Sequence, residues 1–239
     1  MAKRSIEKFK IYKNVFDEFT LAVLFKLSTQ GHFDELTSPV MIGKESNVFL
    51  ANTEDKGQVI VKIYRLHSCN FNQMFSYIRS DPRFLHLKNQ RRLIIFKWVQ
   101  REYRNLMIAR QKLLVPKPIA FLKNVIVMDL IGGQSPSKQL KDLIPIDIPK
   151  YAADVINSIT ELVKLGIVHG DISEFNILNH NEKPYFIDFS QATSVKDHNA
   201  LQYLKRDLGN VKRFFKKYKY EIDVDAIFED LKKEIIKYK

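Results

Sequence analysis

One cysteine, one tryptophan, eight glycines and eight prolines stand in a chain of 239 residues. The lone Cys69 excludes an intramolecular disulfide and a cysteine-built zinc centre. It also fits a reducing compartment. So few glycines and prolines argue against a collagen-like or loop-dominated chain. No apolar run approaches the ~18–20 residues that a bilayer crossing needs. The start, Met1-Ala2-Lys3-Arg4, is soon followed by Glu7, Lys8 and Lys10, which leaves no apolar segment for a secretory signal. Internal repeats, low-complexity tracts and Gly/Ser linkers are missing too. The expectation is a soluble, cytoplasmic protein with no membrane partner.

What is present is core material and positive charge. Hydrophobic residues make up 45% of the chain and aromatics 12%, enough to rule out global disorder. The length suits one large domain or two lobes sharing a site. Lys and Arg number 39 against 27 Asp and Glu, a net charge of +12. Such a surplus attracts polyanions such as nucleic acid, nucleotides or anionic lipid, and a Lys-rich solvated surface fits it equally well.

Apolar residues at Val15, Phe16, Phe19, Val23, Leu24 and Leu27 have helical spacing and predict an amphipathic helix over 14–28. Asn47–Ala51 and Gln58–Tyr64 read as strands, and the intervening Asn52-Thr-Glu-Asp-Lys-Gly57 supplies turn chemistry for a hairpin. From Leu87 to Leu114 a long helix is predicted, with Ile95, Trp98, Val99, Leu106 and Ala109 on one face. Glu102 falls in the middle of that face, where an unpaired carboxylate is expensive to bury. It either reaches water at the stripe's edge or meets a partner. Val125–Ile131 reads as an apolar strand closed by Gly132-Gly133. A helix from about Pro149 ends at Gly166. Two more helices follow at about 198–218 and 223–238. Strands dominate the first half and helices the second, which suggests two lobes with a cleft between them. The expected division is a helical extension over 1–38, a β-rich lobe over 39–131 and a helical lobe over 132–239.

The strongest chemical signal is His169-x-Asp171-x-x-x-x-Asn176, with Asp188 further on, placed on a following strand. By average residue frequencies the first pattern arises by chance in about one chain in a hundred of this length. Phosphoryl transfer from a nucleotide needs a carboxylate to orient the acceptor and hard oxygen ligands to hold a cation on the phosphates. Asp171 suits the first role. Asn176 and Asp188 suit the second, for Mg²⁺ or Mn²⁺ and not for zinc. The bland alternative makes His169 and Asp171 a structural hydrogen-bonding pair of a loop. Upstream, Gly43-Lys44-Glu45-Ser46-Asn47-Val48-Phe49 lies where one strand would turn into the next. Lys62 shares a strand face with Ile60 and Tyr64, and alone it would be an exposed lysine. With Glu102 as partner it becomes a phosphate-contacting lysine held in place by a carboxylate.

On these residues the chain resembles the RIO atypical protein kinases. The segment from Gly43 to Phe49 is similar to that family's phosphate loop, which lacks the three-glycine pattern of ordinary kinases. The segment from His169 to Leu178 resembles its catalytic loop, and Ile187–Ala192 its metal loop. Likeness extends through Lys62–Arg65, Asp81-Pro-Arg-Phe84, Arg101–Leu106 and Arg206-Asp207, over roughly residues 10–220. The wording of the loops and the Asp-Pro-Arg-Phe segment favour the type-one branch, and the short chain without long extensions resembles that branch's archaeal members.

The resemblance implies an α+β fold, a small bilobal protein-kinase-like structure with a β-rich N-lobe and a helical C-lobe. It implies an enzyme, an atypical serine/threonine kinase or ATPase that uses ATP and Mg²⁺ in maturation of the small ribosomal subunit. Asp171 would then be catalytic, with Asn176 and Asp188 on the metal. Lys62, steadied by Glu102, would meet the ATP phosphates. Met128 would be the gatekeeper, and the backbone of Asp129 and Ile131 would meet adenine. Asp188 is also a candidate site for an aspartyl-phosphate, and Asp207 a brace for the catalytic-loop backbone. Met41 and Ile42 depart from the branch's usual Ser-Thr, and the backbone of Gly43 with Lys44 is the expected compensation on phosphate. No Ala-Pro-Glu follows Asp188, so the usual activation and peptide-docking segment is missing. The implied partners are the precursor small ribosomal subunit and its rRNA, towards which Arg91-Arg92, Lys205-Arg206, Lys212-Arg213 and Lys216-Lys217 are basic clusters. Which serine, if any, accepts phosphate stays open. Ser68, Ser76 and Ser80, in a segment expected to be mobile, are candidates.

Two other readings share parts of this pattern. Small-molecule phosphotransferases of the aminoglycoside or choline kinase type also carry His-Gly-Asp and a downstream Asp, but usually add a larger helical substrate domain. A non-catalytic, ATP-gated assembly module would be expected to lose Asp171, Asn176 or Asp188, and all three are present.

Overall fold

A computed structural model describes residues 16–54, 57–67, 69–78, 90–133 and 135–238. The start of the predicted N-terminal helix, Ser68, Ser80 and the Asp81-Pro-Arg-Phe84 segment lie outside the described residues, as does the side chain of Ser76. The chain divides into two compact units, one of residues 1–103 and 117–130, the other of 104–116 and 131–239.

The first unit is built on a five-stranded antiparallel sheet in the order β1-β2-β3-β5-β4. Its strands are β1 (Glu35–Ile42), β2 (Ser46–Thr53), β3 (Gly57–Tyr64), β4 (Pro118–Leu122) and β5 (Val125–Asp129). The β2–β3 hairpin predicted from its turn residues is in register from Ser46 opposite Tyr64 to Thr53 opposite Gly57. One sheet face is covered by helix α1 (Glu18–Thr29), whose Val23, Leu24 and Leu27 join Phe49, Ala51, Val59, Val61, Ile63, Val125 and Val127 in the core. Asp17 caps this helix by accepting the Thr20 N–H at 2.8 Å. The unit also holds α2 (Phe71–Ile78) and the first part of α3 (Arg91–Ala109), which buries Ile95, Trp98 and Val99.

Strands β1 and β4 and helix α2 escape the sequence patterns. Strand β1 carries Pro39, a register irregularity and mostly exposed residues, so it has no alternation to read. Strand β4 opens with Pro118, tolerated because β4 is a sheet edge.

In the second unit α4 (Ile148–Lys164) begins with Pro at its first turn and is capped by Asp147. Gly166 follows its C-cap at φ 81°, a left-handed turn that favours glycine, and its N–H bonds the Val163 carbonyl at 2.9 Å. Helix α4 packs on β6 (Ile167–Val168), β8 (Lys183–Phe186) and α6 (Val224–Ile236). Strand β7 (Ile177–His180) pairs with β8, and β6 pairs with β9 (Thr193–Ser194). Helix α5 (Ala200–Lys216) buries Leu204, Asp207, Leu208, Val211, Phe214 and Phe215 and turns its basic residues outward. No helix among the described residues is long and apolar enough to cross a membrane.

Candidate active site

The first unit places Lys62 and Glu102 together. Lys62 is 7% exposed and Glu102 1% exposed, and Nζ lies 2.8 Å from Oε1. Tyr64, two residues on and so on the same strand face, donates its hydroxyl to Oε2 at 2.7 Å. Glu102 is thus a buried carboxylate with a donor on each oxygen, the condition under which burial is tolerated. The Lys62 ammonium also lies 5.0 Å from the Tyr64 ring centroid. Sequence reasoning noticed that Tyr64 shares the face of Lys62 but missed its grip on Glu102; the i, i+2 spacing was the available signal.

Gly43 and Lys44 sit in the β1–β2 turn, closed by the Gly43 N–H to Ser46 carbonyl bond at 2.9 Å. A Cβ on Gly43 would meet that carbonyl oxygen at 3.0 Å, so the turn is tight at this residue. Met128 is buried in β5, and the Asp129 N–H is committed to the Lys117 carbonyl at 2.9 Å.

In the second unit, β6 delivers the chain to His169. Its Nε2 lies 3.1 Å from the Ile187 carbonyl, and its ring centroid lies 4.6 Å from that of Phe189. A neutral imidazole protonated at Nε2 fits this bond. His169 is therefore a buried strut tying the Asp171 loop to the Asp188 loop. Asn176 donates its amide to the Asp171 backbone oxygen at 2.8 Å and to its carboxylate Oδ2 at 3.0 Å. Gln191 donates to the same Oδ2 at 3.2 Å, and Ser190 donates to Asp188 Oδ1 at 2.7 Å. Asn105 on α3 holds the carbonyls of Phe189 and Ala192 at 3.0 and 2.8 Å. Ser190, Gln191 and Asn105 all lie in segments the sequence singled out, yet nothing in the one-dimensional pattern gave them partners. The Ile131 carbonyl accepts from Ser137 at 2.8 Å, and among the described residues its N–H has no partner.

Asp188 departs from its expected place. Strand β8 ends at Phe186, and Asp188 stands past it in the left-handed region at φ 61°. Aspartate tolerates that region better than most residues, at a cost of about 1–2 kcal/mol. The reversal separates Asp188 from the strand direction, and strain of this kind gathers at functional sites.

Asp207 on α5 is fully buried and accepts the N–H groups of Gly170 and Ile172 at 2.8 and 2.9 Å. Arg206 donates to the Gly170 carbonyl and Asn210 to that of Ile172. Helix α5 so holds the backbone on both sides of Asp171. Burial pushes the Asp207 carboxyl up to about 7, against the lowering pull of the two N–H donors and of Arg206.

The donor set around Asp171 is all hard oxygen and amide, without thiolate, and suits Mg²⁺. The Asn176 amide nitrogen is spent on Asp171, which leaves its Oδ1 chemically suited to a hard cation. Among the described residues no three His, Cys, Asp or Glu side chains form a protein cage for a metal. Mg²⁺ in nucleotide sites is commonly held by one or two carboxylates plus substrate phosphates, so the residues present fit it.

The RIO-domain family profile matches residues 47–227. The RIO-type serine/threonine-protein kinase Rio1 of Haloferax volcanii is 36% identical over 231 residues, covering 96% of this chain and 80% of the relative. Its namesake in Methanocaldococcus jannaschii is 39% identical over 235 residues, covering 98% and 79%. The Rio2 kinase of Chaetomium thermophilum, solved as an ADP/Mg²⁺-phosphoaspartate complex, superimposes with TM-score 0.70 at 27% identity. That match covers 90% of this chain and 66% of the other, so the chain spans just under two thirds of that kinase. The antiparallel sheet of the first unit and the helical second unit are the α+β fold of these kinases. By profile and by identity the chain belongs to the RIO family, as an archaeal-like Rio1-type serine/threonine-protein kinase and hence a phosphotransferase.

Proposed function

We propose that this kinase is ATP-dependent, transfers the γ-phosphate of ATP with Mg²⁺, and turns over largely as an ATPase in maturation of the small ribosomal subunit. The observation that carries the reading is the closed loop of the second unit: Asn176 and Gln191 orient Asp171, while Ser190 holds Asp188. Positioned carboxylates and cation ligands are most of what phosphoryl transfer asks of a protein.

In this reading Asp171 Oδ2, held by two amide donors, accepts the proton of the attacking hydroxyl or water. The new P–O bond forms as the bond between the γ-phosphorus and the bridging oxygen breaks, and ADP leaves. Lys62, fixed by Glu102, and the Gly43–Lys44 turn meet the phosphates. Asn176 Oδ1 and the Asp188 carboxylate would hold Mg²⁺, whose bound charge offsets that of the phosphate oxygens. The Ile131 N–H is a ready donor for adenine, beside Met128 and the Asp129 backbone. The phosphoaspartate of the Chaetomium Rio2 complex supports Asp188 as an acceptor of the phosphoryl group in place of a hydroxyl. A precursor subunit with its rRNA as partner is supported by the +12 charge and by the exposed Arg91, Arg92, Lys205, Arg213 and Lys216.

The test is Mg²⁺-dependent ATP hydrolysis by the wild type, Asp171→Ala and Asp188→Asn, with ATP affinity measured alongside. The reading expects turnover by the wild type and ATP binding without turnover by both variants. A wild type that binds ATP and never cleaves it, alone or with small-subunit precursors, would replace this reading with a nucleotide-gated assembly module.

A further inference from the structure

The first unit contains a cavity of about 390 Å³ whose strand lining from Ile42, Asn47 and Ile63 lies on the sheet face opposite Lys62. Register fixes the face. Ile42 pairs with Asn47, and Asn47 with Ile63, so these three side chains share one side. Lys62 pairs with Val48 and points to the other. The cavity opens where the α1-covered core ends, beside the Phe16 ring, which meets Phe49 edge-on at 5.5 Å. Its volume lies within the ~300–1,000 Å³ range of small-molecule sites.

Its lining includes Asp17, Arg65 and His67, with Tyr64 at the end of β3. Arg65 is partly buried, and its Nε and Nη2 both donate to Asn47 Oδ1, at 3.1 and 2.9 Å. Asn47 is itself 2% exposed, so the guanidinium is held in one orientation by a buried neutral amide. Among the described residues no carboxylate lies within ion-pair distance of Arg65. A half-buried guanidinium fixed by a neutral group, with donors to spare, is a preorganised seat for an anion. Asp17 is committed to the α1 cap through Thr20, and its negative charge in the same cavity disfavours a dianion. With one fork-shaped cation and one carboxylate in its lining, the cavity favours a monoanion over a dianion. Phe16, Ile42 and Ile63 supply apolar walls, and His67 adds a ring nitrogen at the rim.

We propose that this cavity is a binding site for a small organic carboxylate with a flat apolar body, the carboxylate on Arg65 and the body between Phe16, Ile42 and Ile63. The site is built entirely within the first unit and does not rest on the phosphotransfer reading.

The experiment uses the full chain with ¹³C-labelled isoleucine δ-methyl groups, titrated with indole-3-acetate and with its neutral isostere indole-3-acetamide. Expected are saturable shifts at Ile42 and Ile63, and binding of the amide at least tenfold weaker. Arg65→Met is expected to lose at least tenfold in carboxylate affinity, and Arg65→Lys, which keeps the charge without the fork, to fall between. Equal affinity for acid and amide, shifts confined to other isoleucines, or no saturation in the millimolar range would each overturn the proposal. Because those three readouts come from the wild type, they decide the matter even if an Arg65 variant folds poorly.

Discussion

Lys62 and Glu102 stand forty positions apart in the chain and meet as a buried ion pair, Nζ to Oε1 at 2.8 Å. Breaking such a pair from one side strands the other charge, at about 3–5 kcal/mol. Glu102→Leu is therefore expected to lower unfolding stability by about that amount, read as a shift in the urea midpoint. Tyr64→Phe removes one hydrogen bond to the same carboxylate and should cost about 1.5–3 kcal/mol. Equal stability of wild type and Glu102→Leu would mean that the pair holds geometry and adds nothing to folding.

Asp188 joins a chemical requirement to a backbone one. Asparagine tolerates the left-handed region as aspartate does, so Asp188→Asn should fold with nearly wild-type stability. Asp188→Ala should lose about 1–2 kcal/mol through the backbone alone. Thermal melts of the two variants side by side separate conformational from chemical roles; identical melts would remove the backbone argument.

Asp207 makes stability depend on pH. Its carboxyl sits at about 7 in the folded protein, against an ordinary value of 3.8. Between those values the native state holds a proton that the unfolded chain has released. Stability should therefore fall as pH rises from about 4 to about 7. Chemical denaturation across this range should show that slope, and Asp207→Asn should flatten it. A slope unchanged in the variant would move the effect to another group.

Cys69 should be inert in the native protein. Burial is the main cause that pushes its thiol up to about 12, and Sγ–H bonds to the carbonyls of Arg65 and Glu45 at 2.8 and 3.2 Å. Thiolate, the reactive form, is then negligible at neutral pH. Reaction with a disulfide reagent such as DTNB should be undetectable in buffer and complete in denaturant. Rapid labelling of the folded protein would show that this part of the first unit opens readily.

Much of this was legible in one dimension because local chemistry sets it. Helix α4 is marked by its early Pro and its closing Gly, and the β2–β3 hairpin by its turn residues. The His169–Asn176 spacing and Glu102 on an apolar helix face pointed to chemistry because charged groups in such places need partners. Strands β1 and β4 were invisible, since their membership of the sheet depends on pairing with β2 and β5 and not on their own pattern.

Tertiary structure alone decided which donors hold which acceptors. That Tyr64 takes the second oxygen of Glu102, that Gln191 joins Asn176 on Asp171, and that Asn105 holds the Phe189 carbonyl all depend on distances between residues far apart in sequence. The pairing of Arg65 with Asn47 depends on strand register, which puts the side chains of Ile42, Asn47 and Ile63 on the α1 side of the sheet. Sequence selects residue types and local turns through short-range sterics and hydrogen bonding. Long-range pairing then fixes which buried polar groups satisfy one another, and in this chain that pairing builds the site.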